Sequence, residues 1–171
     1  DFRAELEKAR EIYASGEATT EEMWCYDYDW IPCDQWDFDS IVFRIKVDLT
    51  CFLSPKKVVV TDYKTGKVWG NELKHGEQLQ LYAFGTALRY PALEEIITEA
   101  WYFDHDEIKS VKYSREQALR FGKKWKERTK KIINATKFPP NPNKESCRWC
   151  PYKAGPIGKD RHGTGDCPHG V

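Results

Sequence analysis

The sequence predicts an α/β domain built on a mixed β-sheet of at least four strands. Three observations carry this. Residues 41–52 and 57–64 are runs rich in Val, Ile, Phe and Thr, joined across Ser54-Pro55 by a connection short enough to demand antiparallel pairing. Residues 76–89 switch to helical spacing. Residues 96–103, Ile-Ile-Thr-Glu-Ala-Trp-Tyr-Phe, then return to a strand pattern, with a shorter one at 108–113.

Taken in order, Phe2, Leu6, Ala9 and Tyr13 recur at helical spacing and predict a helix over 2–14, ended by Ser15-Gly16. Residues 24–30 alternate aromatics with Cys25, Asp27 and Asp29, a period of two that predicts an extended segment with one apolar face, interrupted at Pro32. The strands 41–52 and 57–64 come next, and Gly66 and Gly70 loosen the backbone after them. Leu79, Tyr82, Ala83 and Leu88 mark the apolar stripe of the 76–89 helix, and Pro91 stops its continuation. Ser114 with Gln117 three residues on has capping-box spacing and opens a helix running to about residue 134. Pro139, Pro140 and Pro142 end it. Residues 1–140 thus form one domain, and 141–171 a tail rich in Gly, Pro and Cys that needs a crosslink or a metal to become ordered.

At 171 residues, 32% charged and 40% hydrophobic, the chain is globular and not disordered. No apolar run approaches the roughly 18 residues of a membrane span, and no signal peptide is visible. The expected location is intracellular, cytoplasmic or nucleoid-associated. The chain opens at Asp1, consistent with an upstream segment. A net charge of zero hides an asymmetry: residues 1–40 hold 12 acids against 3 basic residues, and residues 109–137 hold 11 basic residues against 2 acids. Either the two segments neutralise each other across the fold, or the basic one meets a polyanion. Arg120, Lys123, Lys124, Lys126, Arg128, Lys130 and Lys131 cover more than one face of the 114–134 helix, with Trp125 docking it. Such a field draws a phosphate backbone without reading sequence.

The chemistry is concentrated around Asp48, Asp62 and Lys64. The first two end successive apolar strands, where an unpaired charge is costly. A hairpin brings both carboxylates to one face, suited to Mg²⁺ or Mn²⁺, which prefer oxygen ligands. Lys64, two residues beyond Asp62, lies on the same strand face and can offset charge on a phosphate. The Tyr63 carbonyl offers a further oxygen. Gln78 and Tyr82 are four apart on one helical face, able to contact nucleic acid or steady the centre. Plain strand-end surface residues and a core tyrosine are the alternatives.

The order Asp48, then Asp62-Tyr-Lys64-Thr-Gly, then Gln78-x-x-x-Tyr82 resembles the PD-(D/E)XK nuclease superfamily, and is most similar to its RecB-like and Cas4-like exonuclease branch, including phage-encoded members. The resemblance spans roughly residues 40–103, with a looser echo at 147–152. It implies a restriction-endonuclease-like sheet flanked by helices and hydrolysis of DNA by metal-activated water. Asp48, Asp62, Lys64, Gln78 and Tyr82 fall on the motif positions. The rival function is a catalytically inactive DNA-binding or adaptor module on the same fold. That branch often has an upstream metal-ligating histidine, and no His precedes His75 here.

Six cysteines complete the inventory. Cys51 reads as a reduced core residue. Cys147-x-x-Cys150 is a turn able to present two thiolates to one metal, and Cys167 adds a third. Cys25 or Cys33 is the preferred fourth ligand, with His162 and His169 as others. In the related branch one early and three late cysteines often hold an iron–sulfur cluster, so a [4Fe-4S] cluster, a structural Zn²⁺ and no metal all stay open. In each metal-bound case the role is to staple the tail.

Overall fold

The computed structural model describes residues 3–14, 17–65, 70–157 and 161–169. Phe2, Ser15-Gly16 and Gly66 of the expected elements lie outside the described residues. Two compact units emerge, residues 1–133 and 134–171.

The first unit contains α1 (Arg3–Ala14), β1 (Ala18–Tyr26), β2 (Pro32–Cys33), β3 (Phe43–Ser54), β4 (Lys57–Lys64), α2 (Glu72–Arg89), β5 (Glu95–Tyr102), β6 (Glu107–Ser114), α3 (Arg115–Arg120) and α4 (Gly122–Ile133). Six strands form one sheet in the order β2-β1-β3-β4-β5-β6. All neighbours pair antiparallel except β4 and β5, which run parallel. A parallel pair needs a crossover, and α2 supplies it. The sheet is therefore mixed and helix-flanked, as expected.

Alternation sorts the strand side chains. Val58 and Val60 join Ile45, Val47, Leu79, Ala83, Ala87 and Ile96 in the main core between sheet and α2. Val59 and Tyr63, on the other face of β4, pack with Ala18, Leu49 and Cys51. Cys51 is thus a buried core residue.

That pattern holds an irregularity. Ile45 and Val47 belong to the main core, yet Leu49 and Cys51 belong to the opposite face. The alternation of β3 therefore reverses at Asp48. Its counterpart in β1 is Glu21, between the Thr20–Leu49 and Glu22–Val47 pairs, with φ of 55°. A left-handed conformation at a non-glycine residue is uncommon and frequent at functional sites. The reversal puts Asp48 on the same face as Phe52, the face α2 covers.

Three expectations are corrected. The strand placed at 24–30 is β1, beginning at Ala18 and ending at Tyr26. Residues 27–31 turn instead, because Asp27 Oδ1 accepts from the backbone N–H groups of Asp29 and Ile31 at 2.9 and 2.8 Å. Pro32 does not interrupt a strand; it starts β2 on the sheet edge, where its missing N–H is tolerated. The helix expected over 114–134 is two helices meeting at Phe121, although the Ser114–Gln117 capping box is present. A Cβ on Gly122 would lie 2.7 Å from the Phe84 ring, so this junction presses backbone onto α2.

The second unit holds α5 (Lys144–Arg148) and two short strands, β7 (Pro156–Ile157) and β8 (Arg161–His162), paired antiparallel. Asn143 caps α5, its Oδ1 accepting from Ser146 N at 2.8 Å. The chain then folds back: Thr164 N donates to Pro151 O, and Cys167 N to Tyr152 O at 2.8 Å.

Candidate active site

The centre assembles beneath α2, where the β3–β4 ladder stops: Asp62 and Lys64 lie at the end of β4, whereas Asp48, expected at a strand end, sits in the middle of β3. Leu49 and Thr61 form the last pair of the β3–β4 ladder, and Asp48 and Asp62, just beyond it, are close enough for the Asp62 charge to act on Asp48. The Asp48 carboxylate closes the end of the ladder, its Oδ2 accepting from Tyr63 N at 2.7 Å.

Asp62, 4% exposed, is held from α2. Its Oδ1 accepts from Gln78 Nε2 and from Tyr82 Oη, both at 2.9 Å. Gln78 Nε2 also donates to Tyr82 Oη at 2.8 Å, and Gln78 Oε1 accepts from Lys64 Nζ at 2.7 Å. These partners fix the amide orientation, oxygen towards the ammonium and nitrogen towards the carboxylate. Tyr82 Oη also lies 3.0 Å from the Lys46 carbonyl oxygen. With one proton, the hydroxyl donates to the charged carboxylate as the stronger acceptor. Lys64 Nζ stands 2.5 Å from Asp62 Oδ2.

The electrostatics favour an added cation. Burial pushes the Asp48 carboxyl above its usual range, the Tyr63 N–H pulls it back, and the Asp62 and Glu21 carboxylates add to the rise. Burial, then the Asp62 charge, holds the Tyr82 hydroxyl protonated well beyond its ordinary value. Two carboxylates share one ammonium, an excess of one negative charge. Asp62 Oδ2 is buried and makes no aligned hydrogen bond, its ammonium neighbour being in ionic contact alone. Asp48 Oδ1 and Asp62 Oδ2 therefore fit the one or two carboxylate oxygens by which Mg²⁺ is usually held. Among the described residues, no group of three or more His, Cys, Asp or Glu side chains is arranged to hold a metal ion.

Several participants escape sequence reasoning. Glu21 faces the Asp48 step and forms an ion pair with Lys46. His75 Nδ1 lies 2.7 Å from Tyr102 Oη, one turn before Gln78, and burial followed by the Lys64 charge lowers its basicity. Glu77 accepts from Lys124 at 2.7 Å and from Arg128 at 2.9 and 3.2 Å, tying α4 to α2 beside Gln78. Trp125 is half-buried beneath Lys124 and Arg128, whose cationic groups lie 5.4 and 5.1 Å from its ring.

None of the six cysteines is in a disulfide. Cys33 lies on β2 opposite Cys25, in the first unit. Cys147, Cys150 and Cys167 lie in the second, Cys150 N donating to Cys147 O at 3.2 Å. No helix among the described residues is long and apolar enough to cross a membrane.

No curated protein sequence matches the chain. Among solved structures, the crystal structure of SSO0001 is similar over 85% of this chain and 62% of that one, with 19% identity and a TM-score of 0.39. The chain thus spans less than two thirds of that protein's length. The profile of the PD-(D/E)XK nuclease superfamily matches residues 3–154, an interval that contains Asp48, Asp62, Lys64, Gln78 and Tyr82. The chain belongs to the PD-(D/E)XK nuclease superfamily.

Proposed function

We propose that this protein is a metal-dependent deoxyribonuclease of the RecB-like and Cas4-like branch, acting as an exonuclease on DNA phosphodiester bonds. The observation that carries this is the single hydrogen-bonded network joining Asp62, Lys64, Gln78 and Tyr82, with Asp48 beside it, bonded to Tyr63 N and within reach of the Asp62 charge. Asp48 Oδ1, Asp62 Oδ2 and the Tyr63 carbonyl would hold Mg²⁺ or Mn²⁺. When bound, the ion supplies Lewis acidity towards the phosphate and lowers the pKa of a water. Lys64 offers an ammonium to charge growing on the phosphate, and Gln78 aims it through the 2.7 Å bond to Nζ. Tyr82 and Gln78 keep Asp62 Oδ1 occupied by hydrogen bonds, so Oδ2, in ionic contact with Lys64, is the oxygen that would meet the ion.

We infer for the tail that Cys147, Cys150 and Cys167 ligate one structural centre, a [4Fe-4S] cluster or Zn²⁺. The return of Cys167 to the backbone just after Cys150 supports this, the Cys167 N–H meeting Tyr152 O. Anaerobic purification with iron, sulfide and zinc analysis tests it; loss of stoichiometric metal in Cys147→Ser supports it, and metal-free folded protein opposes it.

The second reading is a catalytically inactive DNA-binding module. It is favoured by the absence, among the described residues, of a third ligating side chain at the centre. Incubation of the purified chain with linear and circular, single- and double-stranded DNA, with Mg²⁺ or Mn²⁺, separates the two. Metal-dependent release of nucleotides from linear DNA supports the exonuclease. Binding without cleavage under all these conditions supports the inactive module.

A further inference from the structure

A cavity of about 260 Å³ opens between the β1–β2 turn and α4. Trp30 forms its floor, wedged against Phe43 and Phe84 with ring centroids 5.0 and 5.2 Å away. Trp30 itself has φ of 67°, a left-handed conformation that the surrounding aromatic packing holds in place. Tyr28 and Asp29 stand on one rim, with Tyr28 58% exposed. Lys126, Lys130 and Ile133 line the other. The two lysines are one helical turn apart and share a face. Among the described residues neither is engaged in an ion pair, in contrast to Lys124 and Arg128, which both bond Glu77.

We propose that this cavity is a subsite for one unpaired base of a single-stranded nucleic acid, stacked on Tyr28, with its flanking phosphates on Lys126 and Lys130. This deepens the DNA reading above and rests on it. The volume lies just under the roughly 300 Å³ at which pockets for larger ligands begin, which suits one planar ring system. Its apolar floor and aromatic rim match a base, since every base offers a π-face and stacking is tolerant of sequence. The paired ammonium groups match a backbone. Asp29 excludes a plain phosphate site: a carboxylate on the rim repels phosphate but accepts from the exocyclic amine of adenine, cytosine or guanine. Position adds to this. Gly122 meets Phe84 and Arg128 meets Glu77, so α4 runs back along α2 towards the end that carries Gln78. The cavity-lining part of α4 thus lies level with the helical turn that serves the carboxylate centre.

The test is fluorescence anisotropy of the full chain with a labelled single-stranded oligonucleotide and its duplex, in EDTA, across a salt series. Tyr28→Ala is expected to weaken single-strand binding about tenfold with an unchanged salt slope and to leave duplex binding unaltered. The Lys126→Ala/Lys130→Ala pair is expected to reduce the slope of log affinity against log salt by about 1.4. Wild-type affinity and slope in these variants, or an equal loss on duplex with Tyr28→Ala, would overturn the subsite. Cleavage of the same oligonucleotide with Mg²⁺ is read separately. A chain that binds through Tyr28 but does not cleave retains the subsite and loses the nuclease reading. A chain that cleaves, with binding indifferent to Tyr28 and both lysines, retains the nuclease and loses the subsite.

Discussion

Gln78 Nε2 donates to Asp62 Oδ1 across 2.9 Å, and this bond joins the end of β4 to the first half of α2. The same amide receives Lys64 through its oxygen. One neutral side chain therefore sets the positions of an acid and a base that sit two residues apart on a strand. Removing it should disturb chemistry more than architecture. Gln78→Ala is expected to lower cleavage turnover by about 10- to 100-fold, and to destabilise the fold by about 1–3 kcal/mol through unsatisfied buried partners. Steady-state cleavage and urea unfolding measure the two effects.

Lys64→Ala separates chemistry from metal binding. The ammonium faces Asp62 Oδ2 but supplies no lone pair to an ion. Turnover is expected to fall by about 10² to 10³, the scale of losing one preorganised charge-stabilising group, while Mn²⁺ affinity stays within several-fold of wild type. Single-turnover cleavage beside metal titration checks the division. Parallel losses in both would assign Lys64 to the metal site instead.

Glu77 predicts a pH dependence with a definite sign. Its bonds to Arg128, then Lys124, hold its carboxyl at about 2, below the usual 4.5. A group depressed on folding contributes stability that is present above about pH 4.5 and is lost as pH falls towards about 2. Glu77→Gln should therefore be less stable than wild type at neutral pH, and the gap should close in acid. Thermal unfolding of both proteins from pH 7 down to pH 2.5 reads this; a gap independent of pH would remove Glu77 from the α2–α4 link.

Gly122 predicts a packing cost at the junction of α3 and α4. A Cβ there meets the Phe84 ring at 2.7 and 2.9 Å, and an aromatic ring flanked by Trp30 has little room to give. Alanine should favour the helix by up to about 1 kcal/mol, yet overpacking costs about 1–3 kcal/mol. Gly122→Ala is expected to be net destabilising in urea unfolding, against the usual sign of Gly→Ala in a helix.

Much of the fold was legible because its central strands are buried on both faces and read as β-branched runs. Residues 57–64 match β4 residue for residue, and the parallel partner β5 lies one residue from its expected span. The first half of β1 was not legible. Thr19, Thr20, Glu21 and Glu22 carry little apolar content because much of that stretch faces solvent. The aromatics at 28 and 30 mimicked a strand, while the Asp27 side chain captured the N–H groups that a ladder would have used.

At the candidate site, the motif residues were readable from type and spacing, and the structure brings Asp62, Lys64, Gln78 and Tyr82 into one network. What turns Asp48 towards α2 was hidden. A simple hairpin alternation gives no sign of the reversal at Asp48 or of the left-handed Glu21 opposite it, because both are backbone events without a residue signature. Glu21 and Lys46 accordingly entered only through the structure.

The most direct test of the central claim, that Asp48 and Asp62 together hold a divalent ion, is a Mn²⁺ titration monitored by electron paramagnetic resonance, without DNA. Wild type should bind Mn²⁺ in at least one site, and Asp48→Asn and Asp62→Asn should each weaken that site by tenfold or more while remaining folded. Wild-type Mn²⁺ affinity in both asparagine variants would contradict it.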